Sequence, residues 1–355
     1  MSLKNVFRFR ESTSTPKGNS GSATQDRAGM VSAPLFQSLP QDMQEQVFLN
    51  LHLWSYLESL HSNGLDIPEF VSRLNKSFKG NASNNLIYPV ANKVFVHIYT
   101  AVGEARDVYV PIEPSSGGVT GRLMEDVDQK LIDHVSELQS VVGEEQEKRI
   151  EVLTSILEKI CDTGGNGKSR STLKVTPEQL DELKYLMIRD KEGMGAIQPL
   201  VSDPYIEDVS CSGVGAVFIE HKIFGGLTSS ITFDTTEVLD QFVIKLSEKI
   251  GRPVTVRNPI VDSTLPDGSR INIVYGDDVS KRGSNFTIRK FQATPFSILD
   301  LVNSGTLSFE MASYLSLMLG AGMNTFVSGE TASGKTTMLN AISTFIPPAS
   351  KIVSI

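Results

Sequence analysis

A glycine-rich stretch near the end of the chain carries the residue types that hold a nucleotide phosphate. It runs Gly329, Glu330, Thr331, Ala332, Ser333, Gly334, Lys335, Thr336, Thr337, and its first eight residues fit the P-loop pattern G-x-x-x-x-G-K-[ST] at every specified position. Glycines let successive N–H groups point inward at phosphate oxygens, and a helix starting here adds its positive end. Lys335 is predicted to reach the β- and γ-phosphates, and the Thr336 hydroxyl to hold Mg²⁺. The stretch therefore predicts a site for a magnesium-bound nucleoside triphosphate.

The residues on either side of this loop must position it. Residues 324–328 are predicted to form a short buried strand before the loop. Leu339 and Ile342 fall on one helical face, which predicts a helix over residues 335–345 after the loop. Upstream, residues 314–327 are apolar but too short for a membrane span, so they predict a core helix running into that strand.

A second set of candidate residues lies on two predicted strands. Apolar and polar side chains alternate in residues 270–275 and 285–290, so Arg270 and Arg289 point outward. If the strands pair, the two arginines share one polar face, with Arg282 on the loop between them. In a ring of subunits such arginines could stabilise charge on a neighbour's γ-phosphate. The alternative is that they are solvated charges on an exposed sheet face.

The chain as a whole predicts an α/β protein built from mixed parts. The predicted parts are a disordered tail at 1–34, a mainly helical domain with a β-hairpin at 35–161, a linker at 162–174, a small α/β domain at 175–292, and the beginning of a P-loop NTPase domain at 293–355. Capping boxes start helices at Thr176 and at Asp234, and another helix is predicted over residues 68–78.

Composition limits the function classes. The formal net charge of −8 argues against nucleic acid as the main partner. Cys161 and Cys211 have no metal-like spacing and predict buried free thiols in a reducing compartment, while the five histidines never pair at a ligand spacing. No run approaches the roughly 18 apolar residues of a membrane span, and no apolar signal region opens the chain. The protein is therefore predicted to be cytoplasmic.

Four stretches together resemble the archaeal motor ATPases of the type II/type IV secretion superfamily, which includes the archaellum and pilus motors. They are residues 203–210, 265–270, 282–290 and 329–337. The resemblance implies a RecA-like C-terminal domain, ATP and Mg²⁺ as cofactors, and a homohexamer at the inner face of the cell membrane. It also implies a membrane-embedded platform protein as partner, with no nucleic acid. By the same resemblance, the domain before the P-loop supplies nucleotide-facing arginines, which Arg270 and Arg289 match better than Arg282.

The sequence departs from that family after the loop. Residues 337–355 contain no Asp or Glu, whereas a P-loop ATPase normally uses a downstream acid to help hold Mg²⁺ and a glutamate to orient water. We therefore expect the chain to be a fragment of a longer motor that hydrolyses ATP negligibly by itself. Two other function classes stay open, a RecA-like nucleic-acid motor and a non-hydrolysing nucleotide-binding scaffold.

Overall fold

The computed structural model describes residues 29–75, 78, 83–91, 93–101, 103–115, 118–164, 172–291, 296–330 and 333–351. The helices are α1 (Pro34–Ser38), α2 (Gln41–Leu49), α3 (Leu51–Ser62), α4 (Gly121–Ile132), α5 (Val135–Gln139), α6 (Gln146–Ile160), α7 (Pro177–Lys191), α8 (Gln198–Ser202), α9 (Thr236–Lys249), α10 (Ile298–Asn303), α11 (Phe309–Gly320) and α12 (Lys335–Ser343). The strands are β1 (Glu69–Phe70), β2 (Asn85–Ala91), β3 (Val94–Tyr99), β4 (Val108–Ile112), β5 (Cys161–Asp162), β6 (Leu173–Lys174), β7 (Ile206–Cys211), β8 (Gly215–His221), β9 (Gly225–Phe233), β10 (Ile260–Thr264), β11 (Arg270–Val274) and β12 (Asn285–Arg289). Over these ranges no helix is long and apolar enough to cross a membrane.

The chain forms two compact units, Met1–Lys290 and Phe291–Ile355. The first is built on a ten-stranded sheet in the order β1-β2-β3-β4-β9-β8-β7-β12-β11-β10. Pairs β1–β2 and β4–β9 are parallel and the other neighbours antiparallel. The predicted mixed α/β class is confirmed. The sheet contains strands from before and after the predicted linker at residues 162–174. The division of the chain into separate domains at that linker stays a prediction.

Apolar faces of the helices cover this sheet. Helices α2 and α3 bury their apolar faces against β2, β3 and β4, with Met43 and Leu57 fully inside. Helix α9 packs Leu239 and Val243 in the cluster that contains Phe286 of β12. Helices α4, α6 and α7 form a third cluster. Buried and exposed side chains alternate along β11 and β12, because one face of each strand packs on these buried side chains and the other face does not.

Several local predictions are confirmed and others are wrong. The capping box at Thr176 is present, with the Gln179 N–H donating to Thr176 Oγ1 at 3.2 Å, and Cys161 and Cys211 are buried free thiols. The capping box predicted at Asp234 is wrong: α9 is capped by Thr235, whose side chain accepts from the Val238 N–H, and the apolar Val238 cannot donate back to complete a box. The helix predicted over 68–78 is also wrong, since Glu69–Phe70 instead pairs in parallel with β2.

The second unit differs from its prediction before the loop. Helix α12 confirms the helix predicted over 335–345, but residues 324–328 form no strand, and Phe326 is 94% exposed. A strand needs neighbours to receive its N–H and C=O groups, and none of this unit's described residues forms one. The helix predicted to run into that strand is present over residues 314–320 as the end of α11, but it is not a core helix, since Leu317 is 73% exposed. The sequence also predicts a strand over residues 351–355, of which residues 352–355 lie outside the described residues.

Candidate phosphate-binding loop and paired arginines

The loop before α12 has a backbone shape that favours glycine at Gly334. Gly334 caps the helix with φ 83° and ψ 18°, a left-handed conformation that side chains with a Cβ rarely adopt. At Gly329 a Cβ would lie 2.5 Å from Ser333 Oγ, so a larger residue there would make the serine hydroxyl rotate away. Within the loop, the Ser333 N–H donates to the Glu330 carbonyl at 3.3 Å.

The described polar side chains of this loop are exposed or hydrogen-bonded to its own main chain. The Lys335 ammonium folds back over the loop and donates to the main-chain carbonyl of Gly329 at 3.0 Å and to that of Glu330. No described side chain caps the N-terminus of α12, and Glu330, Ser333 and Thr336 are exposed. The turn is thus neither extended nor buried, and its helix end is open to solvent. Thr331 and Ala332 lie outside the described residues, and Thr337 is half-buried on the first turn of α12.

This arrangement fits a phosphorylated nucleotide. An uncapped helix N-terminus offers main-chain N–H groups and a positive partial charge to an anion, and Lys335 adds a full positive charge beside it. The Thr336 hydroxyl lies on the same first turn, where it could join the shell of a Mg²⁺ held mainly by phosphate oxygens and water. The described residues contain no group of three or more His, Cys, Asp or Glu side chains that could hold a metal ion.

The two candidate arginines lie directly opposite each other in the first unit. Arg270 of β11 and Arg289 of β12 are Cα partners in an antiparallel pair, and both are exposed on one sheet face. The same row continues to Asp208 on β7, whose Oδ1 is 3.6 Å from Arg289 Nε. The predicted pairing of the strands and the shared face are confirmed. Arg270 has no acid beside it in this row, since its other partner is Thr264.

Arg282 is placed differently. It is exposed on the turn between β11 and β12. Its main-chain carbonyl approaches Gly213, where an added Cβ would lie 2.5 Å from the oxygen. The turn is therefore held by backbone packing, and the Arg282 side chain is not part of the cross-strand pair.

A buried polar cluster around Asp203 was not predicted from the sequence. Asp203 is fully buried, and its Oδ2 accepts hydrogen bonds from the hydroxyls of Tyr88 at 2.6 Å and Tyr109 at 2.9 Å. Its Oδ1 accepts from the Tyr205 N–H at 2.8 Å, and its main-chain carbonyl accepts from the Lys290 ammonium. The cluster therefore connects β2 and β4 to the residue that follows Arg289.

Burial dominates the electrostatics of this cluster. It raises the pKa of the Asp203 carboxyl, although the tyrosine hydroxyls and the Lys290 charge act against the shift. It lowers the pKa of Lys290, which the Asp203 charge partly restores. Burial also lowers the pKa of the neighbouring His221 to about 3, which keeps that ring neutral, and its Nδ1 accepts the N–H groups of Ile223 and Phe224. The sequence pointed to Asp203 only as the first residue of an Asp-Pro-Tyr stretch, and it gave no indication of which residues bond to that carboxylate.

Part of the chain matches a family of known proteins. Residues 190–355 match the family described as "Type II/IV secretion system protein". An uncharacterized protein of Methanocaldococcus jannaschii is 39% identical over 333 residues, which are 88% of this chain and 58% of that protein. The Type IV secretion system protein VirB11 of Bartonella quintana is 26% identical over 159 residues, covering 36% of this chain and 44% of its own. The chain thus spans little more than half the length of the first of these relatives.

One solved structure is also similar in part. The VirB11 ATPase from the Brucella suis type IV secretion system, in complex with sulphate, covers 42% of this chain and 53% of its own, with 23% identity and a TM-score of 0.27.

Proposed function

We propose that this chain is the ATP-binding subunit of a secretion, pilus or archaellum assembly motor, because residues 190–355 match the family described as "Type II/IV secretion system protein". The observation that carries the proposal is the open loop at the N-terminus of α12, with its left-handed Gly334 and the ammonium of Lys335 folded over it. ATP with Mg²⁺ is the proposed ligand. The proposed assembly is a hexamer on the cytoplasmic side of the membrane, coupled to a membrane-embedded platform protein.

Each loop residue has a separate role in this proposal. Main-chain N–H groups from Gly329 to Thr337 bind and orient the phosphates, and Lys335 supplies charge to the terminal ones. The Thr336 hydroxyl joins the Mg²⁺ shell. When bound, the metal neutralises charge on the phosphate oxygens. Lys335 can exchange its two main-chain acceptors for phosphate oxygens without a change in the backbone.

The paired arginines are proposed to serve a neighbouring subunit. Like charges placed directly across two strands disfavour the fold, so Arg270 beside Arg289 is a costly arrangement for the subunit alone. An anion that approaches this face relieves the repulsion and is held by two guanidinium groups. In a ring, the γ-phosphate bound by the next subunit is that anion, and Arg282 contributes from the turn.

Calorimetric titration of the chain with ATP and Mg²⁺ tests the nucleotide site directly. We expect saturable heat from the wild type and at least a tenfold weaker affinity, about 1.4 kcal/mol, for Lys335→Ala. Lys351→Ala is the matched control, because Lys351 is exposed in the same unit and lies outside the loop. Thr336→Ala should weaken binding mainly when Mg²⁺ is present, since the hydroxyl is proposed to act through the metal.

Binding to Lys335→Ala as tight as to the wild type would remove the loop from the nucleotide site. Equal losses in Lys335→Ala and Lys351→Ala would indicate attraction by net charge alone. The expectation that the chain by itself shows negligible turnover is tested in the same preparation by phosphate release.

A further inference from the structure

The first unit contains a cavity of about 830 Å³ whose walls come from α2, α3, the β2–β3 turn and the start of α7. Its apolar wall includes Met30, Leu51 and Trp54, and its polar wall is mainly acidic. The cavity lies entirely within residues 29–182 and contains none of the nucleotide-site candidates. It is therefore a separate feature of the molecule.

The charged lining of this cavity is unbalanced. Among the described lining residues, the carboxylates of Glu58, Glu178, Asp181 and Glu182 face the single ammonium of Lys93. Lys93 Nζ lies 3.4 Å from Asp181 Oδ2, and the buried Glu182 accepts a hydrogen bond from Ser115 Oγ at 3.1 Å. The remaining negative charge favours a cationic occupant.

A buried ring nitrogen in the same wall has capacity for another hydrogen bond. His52 lines the cavity, and its Nε2 is buried and has no hydrogen-bond partner among the described residues. A buried polar atom normally has a partner. Burial lowers the pKa of His52 to about 4, so the neutral ring can take a hydrogen-bonding group from an occupant.

The chain itself carries a segment of complementary chemistry. Residues 1–28 lie outside the described residues, and their sequence contains five Lys or Arg and two Asp or Glu. Within the segment, Phe7-Arg8-Phe9-Arg10 alternates aromatic and cationic side chains, which suits an apolar wall beside acids. The first described residue after the segment, Gly29, lines the cavity.

We propose that the basic amino-terminal segment of this chain, residues 1–28, binds in the acidic cavity between α3 and α7. Chain connectivity favours this occupant over a separate molecule. Arg27 is two residues from Gly29, so their Cα atoms are at most about 7 Å apart. A segment tethered at the wall has an effective concentration in the millimolar range, so weak contacts suffice for occupancy. The segment is thereby a built-in ligand, which a basic partner or salt can displace.

Photo-crosslinking in the full chain tests this proposal. Phe9 is replaced by benzoyl-phenylalanine, the protein is irradiated, and crosslinked peptides are mapped by mass spectrometry. We expect crosslinks to peptides that contain Trp54 or Leu180, and at least a fivefold lower yield at about 1 M salt, where charges are screened beyond about 3 Å.

Two sets of charge reversals separate the cavity from net charge. Glu58→Lys with Glu178→Lys should lower the crosslink yield at least fivefold, because they reverse the acidic wall. Glu147→Lys with Glu151→Lys makes the same charge change on exposed positions of α6 and should leave the yield unchanged. Trp54 fluorescence checks that each variant is folded.

Three results would overturn the proposal. The first is crosslinks that map away from the cavity walls. The second is an equal loss of yield in both double variants. The third concerns a mixture of ¹⁴N and ¹⁵N protein: crosslinks that join light and heavy peptides there would assign the bound segment to a second copy of the chain.

Discussion

Replacing Arg270 by Ala is expected to stabilise the isolated fold and to remove activity from the assembled motor. The structural reason is the direct pairing of Arg270 with Arg289 across β11 and β12. Two unit charges about 7 Å apart in water repel by about 0.6 kcal/mol, within the ~0.2–1 kcal/mol range for cross-strand pairs. Removing Arg270 deletes this repulsion and deletes no ion pair described for it, so the free energy of unfolding should rise by about 0.5 kcal/mol.

Arg289→Ala is the matched comparison. It removes the same repulsion, but it also removes the contact between Arg289 and Asp208. The Arg289 side chain is 77% exposed in the folded protein. An exposed pair of this kind contributes little, so the two effects should cancel to within a few tenths of a kcal/mol. The two variants should thus differ in stability although both lose one arginine from the same row.

Urea unfolding, followed by the fluorescence of Trp54, the only tryptophan, measures the effect. The gain for Arg270→Ala should be largest at about 0.01 M salt and should vanish at about 1 M, where the Debye length falls from about 30 to about 3 Å. A loss of stability, or a gain that does not depend on salt, would refute the reasoning. In the proposed hexamer, either substitution should lower ATP turnover by about 10³-fold or more if the arginines act on the transferred phosphate.

Three further predictions concern the first unit. Arg189→Met leaves the buried Glu113 carboxylate without its cation, whose Nη1 is 3.1 Å away, and should lower the free energy of unfolding by about 3 kcal/mol or more in urea. Phe286→Ala removes a fully buried ring and should lower it by about 3–5 kcal/mol, seen as a lower Tm. Burial lowers the pKa of His97 and His221 to about 3, below the unfolded value of about 6.5. Protons then bind the unfolded state more tightly than the folded state. The free energy of unfolding should therefore fall as the pH is lowered from 6.5 towards 3, by up to about 1.4 kcal/mol per pH unit for each of the two histidines. His97→Gln should reduce that slope in pH-dependent urea titrations.

Each of these has a matched variant at an exposed position. Lys148→Met breaks the exposed pair with Glu144 and should change stability by less than about 0.5 kcal/mol. Phe309→Ala removes a ring that is 68% exposed, and His61→Gln replaces an exposed histidine. Similar effects in the buried and exposed members of a pair would contradict burial as the cause.

The arginine pair could be predicted from the sequence because a strand has a period of two. Ile271 and Ile288 are buried and fix which face of each strand points inward. The turn at residues 265–268 predicts where the next strand begins. The helix after the loop could be predicted for a similar reason, since its start is encoded by Gly334 and its face by Ile342. Local rules were sufficient where the structure depends on neighbours in the chain.

Long-range partners were not predictable in this way. Asp203 accepts hydrogen bonds from Tyr88, which precedes it by 115 residues, and from Tyr109, which precedes it by 94 residues. A local sequence pattern cannot predict contacts between residues so far apart in the chain. The strand predicted over 324–328 failed for the related reason that a strand exists only with a partner. The acidic cavity was also missed, because its four acids come from α3 and α7, which meet only in the folded unit.

The Asp203 cluster explains how the costly arginine pair keeps its register. The Lys290 N–H donates to the Glu207 carbonyl at 2.8 Å, and the Lys290 ammonium donates to Asp203, so both groups of the residue after Arg289 are fixed beside β7. A slip of β12 by one residue would break both contacts and turn Arg289 into the core. Buried charges are costly in free energy compared with an apolar core. The cluster thus fixes the position of β12, and through β12 the position of Arg289 opposite Arg270.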